Sequence, residues 1–255
     1  MLLIILIIAH FIADFYLQSE KMADNKKKST KVLLAHCAIY AVTFAIVNGV
    51  FVEGKSALFV TLVIVLSHLV VDFIKIKIDN KNEKYSVWFY TFTFDQILHI
   101  SVITATYKLL NLAQNTTQIY AECLSFSKFK DVMVYALLFA FLLKPVGVFI
   151  YKLLPYLFKQ EYKSKQPKIF KGLFKENVQP TPDKKENKVG SVIGQLERMI
   201  IAILLLCNQY SAIGLVLTAQ QNSGLGSHTT QGFAGGVDDV PLTLDLTGLS
   251  HKSHS

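Results

Sequence analysis

The segment VLSHLVVDFIKI, residues 65–76, lies within a long apolar run and contains His68 and Asp72 four residues apart. An earlier copy, IIAHFIADFYLQ, carries His10 and Asp14 with the same spacing. Residues four apart share one face of an α-helix, so each pair can act on one ligand or on each other. Ionisable groups are costly in segments this apolar, and their repetition therefore predicts a polar site inside an apolar helical bundle.

Two further apolar segments contain His or Asp. FDQILHIS carries Asp95 and His99 in the reverse order with the same spacing, and LLAHCAIY carries His36. The two pairs described above are 58 residues apart, and adding 58 to the number of His36 gives a position beside Asp95. This offset favours a duplicated two-helix unit. A chance match of a few residues is the alternative.

The composition is typical of a polytopic membrane protein. Of 255 residues, 52% are hydrophobic and only 17% are charged, a balance that is unusual for a soluble domain. The formal charge of +8 comes almost entirely from lysine, since Arg198 is the single arginine. The aromatic residues lie in apolar runs rather than among the lysines, which argues against a nucleic-acid groove.

The apolar runs predict an all-α integral membrane protein, a bundle of about six transmembrane helices. Each run approaches or exceeds the roughly 20 residues needed to cross the hydrocarbon layer. The first run has no basic segment before it and no small-residue cleavage motif after it, so we interpret it as a retained helix. The predicted helices cover residues 1–17, 32–52, 57–76, 87–112, 132–158 and 192–219.

Two polar segments complete the predicted domain organisation. Residues 1–219 form the transmembrane domain, which includes a Lys/Pro-rich cytoplasmic loop at about residues 159–188. Residues 220–255 are rich in Gly, Ser and Thr and predict a disordered tail. The Lys144–Pro145 pair predicts a kink within the fifth helix.

The lysines predict the topology. They concentrate in the first, third and fifth connections, which the positive-inside rule places in the cytoplasm. Both termini are then outside. The charge of +8 is mostly a topology signal, and its expected partners are the anionic headgroups of membrane lipids.

The predicted site contains ligands of the type that bind divalent metals. Four helices bring His and Asp to overlapping depths, and neutral imidazoles with carboxylates are ligands for zinc, manganese or iron. The candidate ligands are His10, Asp14, His36, His68, Asp72, Asp95 and His99. In the leading hypothesis, a metal-dependent hydrolase, Asp72, Asp95 and Lys75 are catalytic. Lys75, Lys144, Glu197 and Arg198 are the candidate groups for a substrate anion or counter-ion.

Three other interpretations stay open. The same groups can form a polar network that only stabilises helix packing. They can also carry protons or cations across the membrane through carboxylate–histidine relays and Lys144. In the third, the protein is a non-catalytic membrane scaffold whose loop at residues 159–188 recruits a partner.

A family resemblance adds to these patterns. HFIADFYLQ, LLAHCAIY, SHLVVDFIK, FDQILH and IGQLERMI with QYSAIGLVLTA resemble, over about residues 1–219, an uncharacterised family of bacterial inner-membrane proteins, domain-of-unknown-function family 3307. The resemblance implies a multi-pass protein of the bacterial inner membrane and no established activity. The His/Asp pattern is more loosely similar to predicted membrane-bound metal-dependent hydrolases. In the resembled family AIGLVLTA leads to a further apolar segment, so we expect a C-terminal contribution to the site to be missing here.

Overall fold

Helices form every regular element in the part of the chain that the computed structural model describes, residues 1–82, 84–157 and 183–218. This confirms the all-α class. A π-helical turn, Ile12–Tyr16, follows the first helix, and residues 210–218 are also helical. The α-helices are α1 (Leu2–Phe11), α2 (Glu20–Asn25), α3 (Thr30–Phe51), α4 (Gly54–Lys81), α5 (Tyr85–Leu109), α6 (Gln118–Ser125), α7 (Phe129–Leu143), α8 (Pro145–Leu157) and α9 (Asp183–Leu206).

Three helical segments are long and apolar enough to cross a membrane: Thr30–Phe51, Gly54–Lys81 and Phe129–Leu153. Leu2–Tyr16 is apolar but shorter. The 25 residues of α5 span about 37 Å at 1.5 Å per residue, but its Thr, Asp, Gln and His side chains make it less apolar. These three segments indicate a membrane protein, and they leave the predicted count of six spans as a prediction.

The helices direct apolar side chains to the outside of the bundle and polar side chains to its interior. Leu58, Leu66 and Val70 of α4 are each more than half exposed, whereas His68 and Asp72 of the same helix are buried. A soluble protein of this size would rarely expose such a continuous apolar face. Polar groups that face the bundle interior are the rule for helices in lipid. The burial pattern therefore agrees with the three candidate spans.

Four helices enclose this polar interior. The first helix, α1, packs against α3, α5 and α7, and α4 packs against α3 and α5. The helices α1, α3, α4 and α5 therefore surround a common space. The Val52–Glu53 connection between α3 and α4 is short, which makes these two helices antiparallel neighbours.

One end of the bundle joins the start of α1, the α3–α4 connection and α6. The backbone N–H of Leu2 donates to Tyr120 Oη at 2.9 Å, and Val52 pairs with Thr116 in an antiparallel bridge. Burial raises the pKa of the Tyr120 phenol, so it is a neutral acceptor. Gly54 begins α4 with φ of +45°, a conformation that favours glycine.

The other end joins the end of α4, the start of α5, the end of α8 and the loop before α3. Asn80 Nδ2 donates to the Lys27 carbonyl at 3.0 Å, and the hydroxyls of Tyr90 and Tyr156 lie 2.8 Å apart. We call it the basic end because four lysines gather there: Lys26, Lys27, Lys75 and Lys152. The connections therefore alternate between two ends, as the sequence predicts.

The fifth predicted helix is two helices. The first, α7, ends at Leu143, and α8 begins at Pro145. Proline lacks the N–H that would continue the hydrogen-bond ladder. The predicted position of the kink is confirmed, and the expectation of one continuous helix over residues 132–158 is replaced by a break.

The sixth predicted helix has different bounds. The final named helix, α9, begins at Asp183, nine residues before the predicted start, so residues 183–188 of the predicted loop are helical. It ends at Leu206, and Asn208 adopts the left-handed conformation, with φ of +57°. Residues 158–182, which include most of the predicted loop, and residues 219–255, which include the predicted tail, lie outside the described residues.

Two short helices lie where the sequence predicts only loops. The Ser19 hydroxyl accepts a hydrogen bond from the Met22 N–H at the start of α2, and Thr117 caps α6 in the same way. Such caps satisfy backbone donors at helix starts.

Candidate metal centre

Seven buried His and Asp side chains meet between α1, α3, α4 and α5. The first helix and its π-helical turn supply two, α3 supplies one, and α4 and α5 supply two each. No member exposes more than 7% of its surface. They are His10, Asp14, His36, His68, Asp72, Asp95 and His99. The structure thus places all the candidate ligands in one interior.

Asp14, His36 and His68 form the first group, whose ligand atoms lie within 4.8 Å of one another. His36 Nε2 lies 3.1 Å from His68 Nε2 and 3.3 Å from Asp14 Oδ1. Asp72 Oδ2 is adjacent, at 3.6 Å from His36 Nε2 and 3.8 Å from His68 Nε2. Two helices, α3 and α4, and the π-helical turn thus direct nitrogen and oxygen ligands toward one point.

The separations in the first group fit a tetrahedral metal site. Bonds of about 2.0–2.1 Å place neighbouring ligand atoms of a tetrahedron about 3.3 Å apart, close to the 3.1 and 3.3 Å found here. A ligating imidazole usually donates its other N–H to an acceptor. Among the described residues, Nδ1 of His36 and Nδ1 of His68 have no such partner. The ligand types and the spacing of the first group therefore fit a metal ion. Neither imidazole has a described protein acceptor for its other ring nitrogen.

Asp72, Asp95 and His99 form the second group, again with ligand atoms within 4.8 Å of one another. His99 Nε2 is 3.2 Å from Asp95 Oδ1. These two atoms are not aligned for a hydrogen bond, and neither has another partner in the described part of the chain. The His99 ring lies 4.4 Å from the ring of His68, so the two groups adjoin.

Two lysines neutralise the second group but not the first. Lys26 Nζ donates to Asp72 Oδ2 at 2.9 Å, and Lys75 Nζ donates to Asp95 Oδ2 at 2.8 Å. No lysine of the described ranges lies within ion-pair distance of Asp14. A buried carboxylate without a counter-charge is strongly unfavourable. The first group is therefore where an added cation is favoured most.

Gln96 holds the carboxylates in place. Its amide nitrogen donates to Asp14 Oδ2 at 2.9 Å and to Asp95 Oδ2 at 3.0 Å. Its carbonyl oxygen lies 3.1 Å from His10 Nε2. These contacts leave Asp14 Oδ1 free to face His36. The sequence patterns do not single out Gln96, although it stands directly beside Asp95 in FDQILH.

His10 lies outside both groups because each of its ring nitrogens already has a partner. Gln96 Oε1 can only accept, so His10 Nε2 carries the proton, and His10 Nδ1 accepts from Tyr40 Oη at 3.1 Å. The Tyr40 ring also stacks on the His68 ring at 3.8 Å between centroids. Tyr40 was missed as well, although it closes the LLAHCAIY motif.

The π-helical turn displaces Asp14 from a regular helical position. Its ladder closes with the Leu17 N–H donating to the Ile12 carbonyl at 2.9 Å. Lys144 Nζ donates to the Phe15 carbonyl at 3.2 Å. Single π turns are frequent at functional sites. Lys144 thus stabilises the backbone of this turn, and no described hydrogen bond or ion pair joins it to the seven residues.

Two other predicted charges, Glu197 and Arg198, are on α9. Arg198 Nε donates to the Leu142 carbonyl at 3.2 Å, and a Cβ added to Gly147 would lie 3.2 Å from Arg198 Nη2. Within the residues described, no hydrogen bond or ion pair joins Glu197 to the His/Asp cluster. The arginine therefore links α9 to the α7–α8 break.

Comparisons with known proteins find one family. A family described as "Protein of unknown function (DUF3307)" matches residues 2–126, a range that contains the whole first and second groups. No curated protein and no solved structure matches the chain.

Proposed function

Residues 2–126 belong to the DUF3307 family of proteins of unknown function, and from this premise we propose that the first group binds one divalent metal ion for hydrolysis within a membrane. The observation that carries the proposal is the convergence of Asp14 Oδ1, His36 Nε2 and His68 Nε2 with separations of 3.1 and 3.3 Å. Zinc, manganese and iron are the metals that suit this ligand set.

The charges support one metal ion rather than two. Three buried carboxylates face two lysine ammonium groups, which leaves one negative charge if the imidazoles are neutral. A single divalent ion at Asp14 changes the net charge from one negative to one positive. A second ion would raise the net charge to three positive and would compete with Lys26 and Lys75 for their carboxylates.

The second group is suited to proton transfer beside the metal. A bound divalent ion acts as a Lewis acid and lowers the pKa of nearby water. His99 Nε2 is the free nitrogen placed to accept a proton there, and Asp95, 3.2 Å away, stabilises the resulting imidazolium. Lys75 fixes Asp95, and Asp72 lies between the two groups.

The proposed membrane topology adds further spans to the three candidate spans. We propose six spans in the bacterial inner membrane, with the basic end in the cytoplasm and the N-terminus outside. The gathering of Lys26, Lys27, Lys75 and Lys152 at one end supports this orientation, because cytoplasmic loops are enriched in lysine. Anionic lipid headgroups are the partners expected at that end.

Hydrolysis of two chromogenic esters by the purified full-length protein in lipid nanodiscs tests the proposal. We expect p-nitrophenyl acetate or bis-p-nitrophenyl phosphate to be cleaved, the activity to disappear on chelation, and zinc, manganese or iron to restore it. Asp14→Asn and His68→Ala should lower the rate at least about 100-fold, whereas Lys130→Gln, an exposed lysine on α7, should not change it. Hydrolysis that survives chelation and both substitutions contradicts the proposal.

Proton passage is the second candidate, favoured by a continuous chain of contacts. The chain runs from His10 through Gln96, Asp14, His36, His68 and Asp72 to Lys26, with steps of 2.9 to 3.8 Å. Proton flux into liposomes that depends on Asp72 and Asp95 would support it. Flux equal to that of empty vesicles would exclude it. The scaffold interpretation depends mainly on residues 158–182, which lie outside the described residues.

A further inference from the structure

Of the four lysines that define the basic end, three pair with a carboxylate. Three ion pairs occur there: Lys26–Asp72 at 2.9 Å, Lys27–Asp79 at 3.9 Å and Lys75–Asp95 at 2.8 Å. Lys152 on α8 is the fourth lysine. No carboxylate of the described ranges lies within ion-pair distance of it. Lys152 is therefore the one of these four ammonium groups without a carboxylate partner among the described residues.

Lys152 and Lys75 share a single aromatic ring. Lys152 Nζ lies 5.4 Å from the centre of the Phe92 ring, and Lys75 Nζ lies 5.5 Å from the same centre. Cation–π contact with Phe is only a modest attraction. It offsets part of the cost of a half-buried ammonium and does not neutralise it.

Aromatic packing fixes the helix that carries Lys152. Phe149 and Tyr156, which share a face of α8 with Lys152, both pack on Phe89 of α5, with ring centres 5.5 and 5.0 Å away. This packing therefore fixes the backbone of Lys152 relative to α5. Its ammonium is held among the charges of Lys75, Lys27, Asp79 and Asp95.

We propose that Lys152 and Lys75 bind a phosphate group beside the second group, and that this phosphate is the anionic part of the substrate. A phosphate offers several acceptor oxygens to two ammonium groups at once. Phe92 and Asp95 are one helical turn apart on α5, so the phosphate adjoins the catalytic groups. The inference rests on the proposed hydrolytic function. The phosphate group belongs either to a lipid headgroup or to a free phosphate compound.

Phosphate binding to the full-length protein tests the proposal in two arms. Radiolabelled inorganic phosphate is measured by equilibrium dialysis in detergent, and phosphatidate retained by the protein is measured by native mass spectrometry. Lys152→Met keeps an unbranched side chain, one atom shorter, and removes the charge, whereas Lys152→Arg keeps the charge. Lys130→Met on α7 is the matched control, because Lys130 is exposed and also loses one positive charge.

We expect Lys152→Met to weaken phosphate or phosphatidate binding at least about tenfold, because the substitution removes one charged hydrogen bond. Lys152→Arg and Lys130→Met should bind as the original protein does. Binding of phosphatidate alone identifies the lipid as the source, and binding of both identifies phosphate itself. Equal binding by Lys152→Met and the control overturns the inference.

Metal content of the same samples separates this inference from the proposed function. Lys152→Met should retain one metal ion per chain, which also shows that the variant is folded. Bound metal with unaltered phosphate binding overturns the phosphate site alone. Absence of metal from every sample overturns the proposed function, and phosphate binding then no longer identifies a substrate.

Discussion

The two copies of the four-residue His/Asp pair end in different roles. In α4, His68 belongs to the first group and Asp72 to the second, so the pair bridges both halves of the centre. In α1, Asp14 joins the first group, while His10 is held by Tyr40 and Gln96. Identical spacing therefore produced one pair with two candidate metal ligands and one pair with a single candidate ligand.

The difference comes from the neighbours of each pair rather than from its own residues. Lys75 follows Asp72 by three residues, and the equivalent residue after Asp14 is Leu17. The α1 copy ends in a π-helical turn, whereas the α4 copy continues as a regular helix. Spacing thus specifies a shared helix face, and contacts across helices decide which atoms stay free for a ligand.

The largest contrast between the copies is expected in metal binding. His68→Gln should reduce bound metal from one per chain to below about a tenth, because it removes a ligand of the first group. His10→Gln should retain the metal, because neither nitrogen of His10 is available. Elemental analysis of purified, tag-free protein measures both. Equal loss in the two variants would show that the copies are equivalent.

Making the α4 copy resemble the α1 copy should destabilise the protein. Lys75→Leu leaves Asp95 buried without its ammonium, and breaking a buried ion pair costs about 3–5 kcal/mol. Adding Asp95→Asn should recover most of the loss, since the uncompensated charge is gone. Unfolding of purified protein in detergent measures both variants, with exposed Lys130→Leu as the control. A single variant as stable as the control contradicts this account of Lys75.

Removing the amide that holds the α1 copy should weaken metal binding without abolishing it. Gln96→Leu removes the amide that orients Asp14 and fixes His10. Loss of such an outer-shell partner typically lowers metal affinity about 10–100-fold. Titration with a competing chelator measures the change. Unchanged affinity would mean that Asp14 is oriented without Gln96.

The smallest effect is expected from a substitution that changes only a contact of the α1 copy. Tyr40→Phe keeps the stacking on His68 and removes only the hydrogen bond to His10, worth about 1 kcal/mol. The free energy of unfolding should fall by that amount while metal content stays constant. A loss of metal in this variant would place His10 in the metal site.

The sequence was sufficient for the residues that cost most to bury. His68 and Asp72 stand out because ionisable groups are rare in apolar helices, and helical spacing predicts their common face. Tyr40, Gln96 and Lys152 were missed because their importance depends on contacts between helices. The π-helical turn was missed too, since nothing in IADFY distinguishes it from a regular helix.

X-ray absorption at the edge of the bound metal tests the central claim most directly. The account predicts one ion per chain with two imidazole nitrogens and a carboxylate oxygen at about 2.0–2.1 Å. Asp14→Asn or His36→Ala should remove that signal. A spectrum without imidazole scattering, or a metal shell unchanged in both variants, would contradict a metal centre at Asp14, His36 and His68.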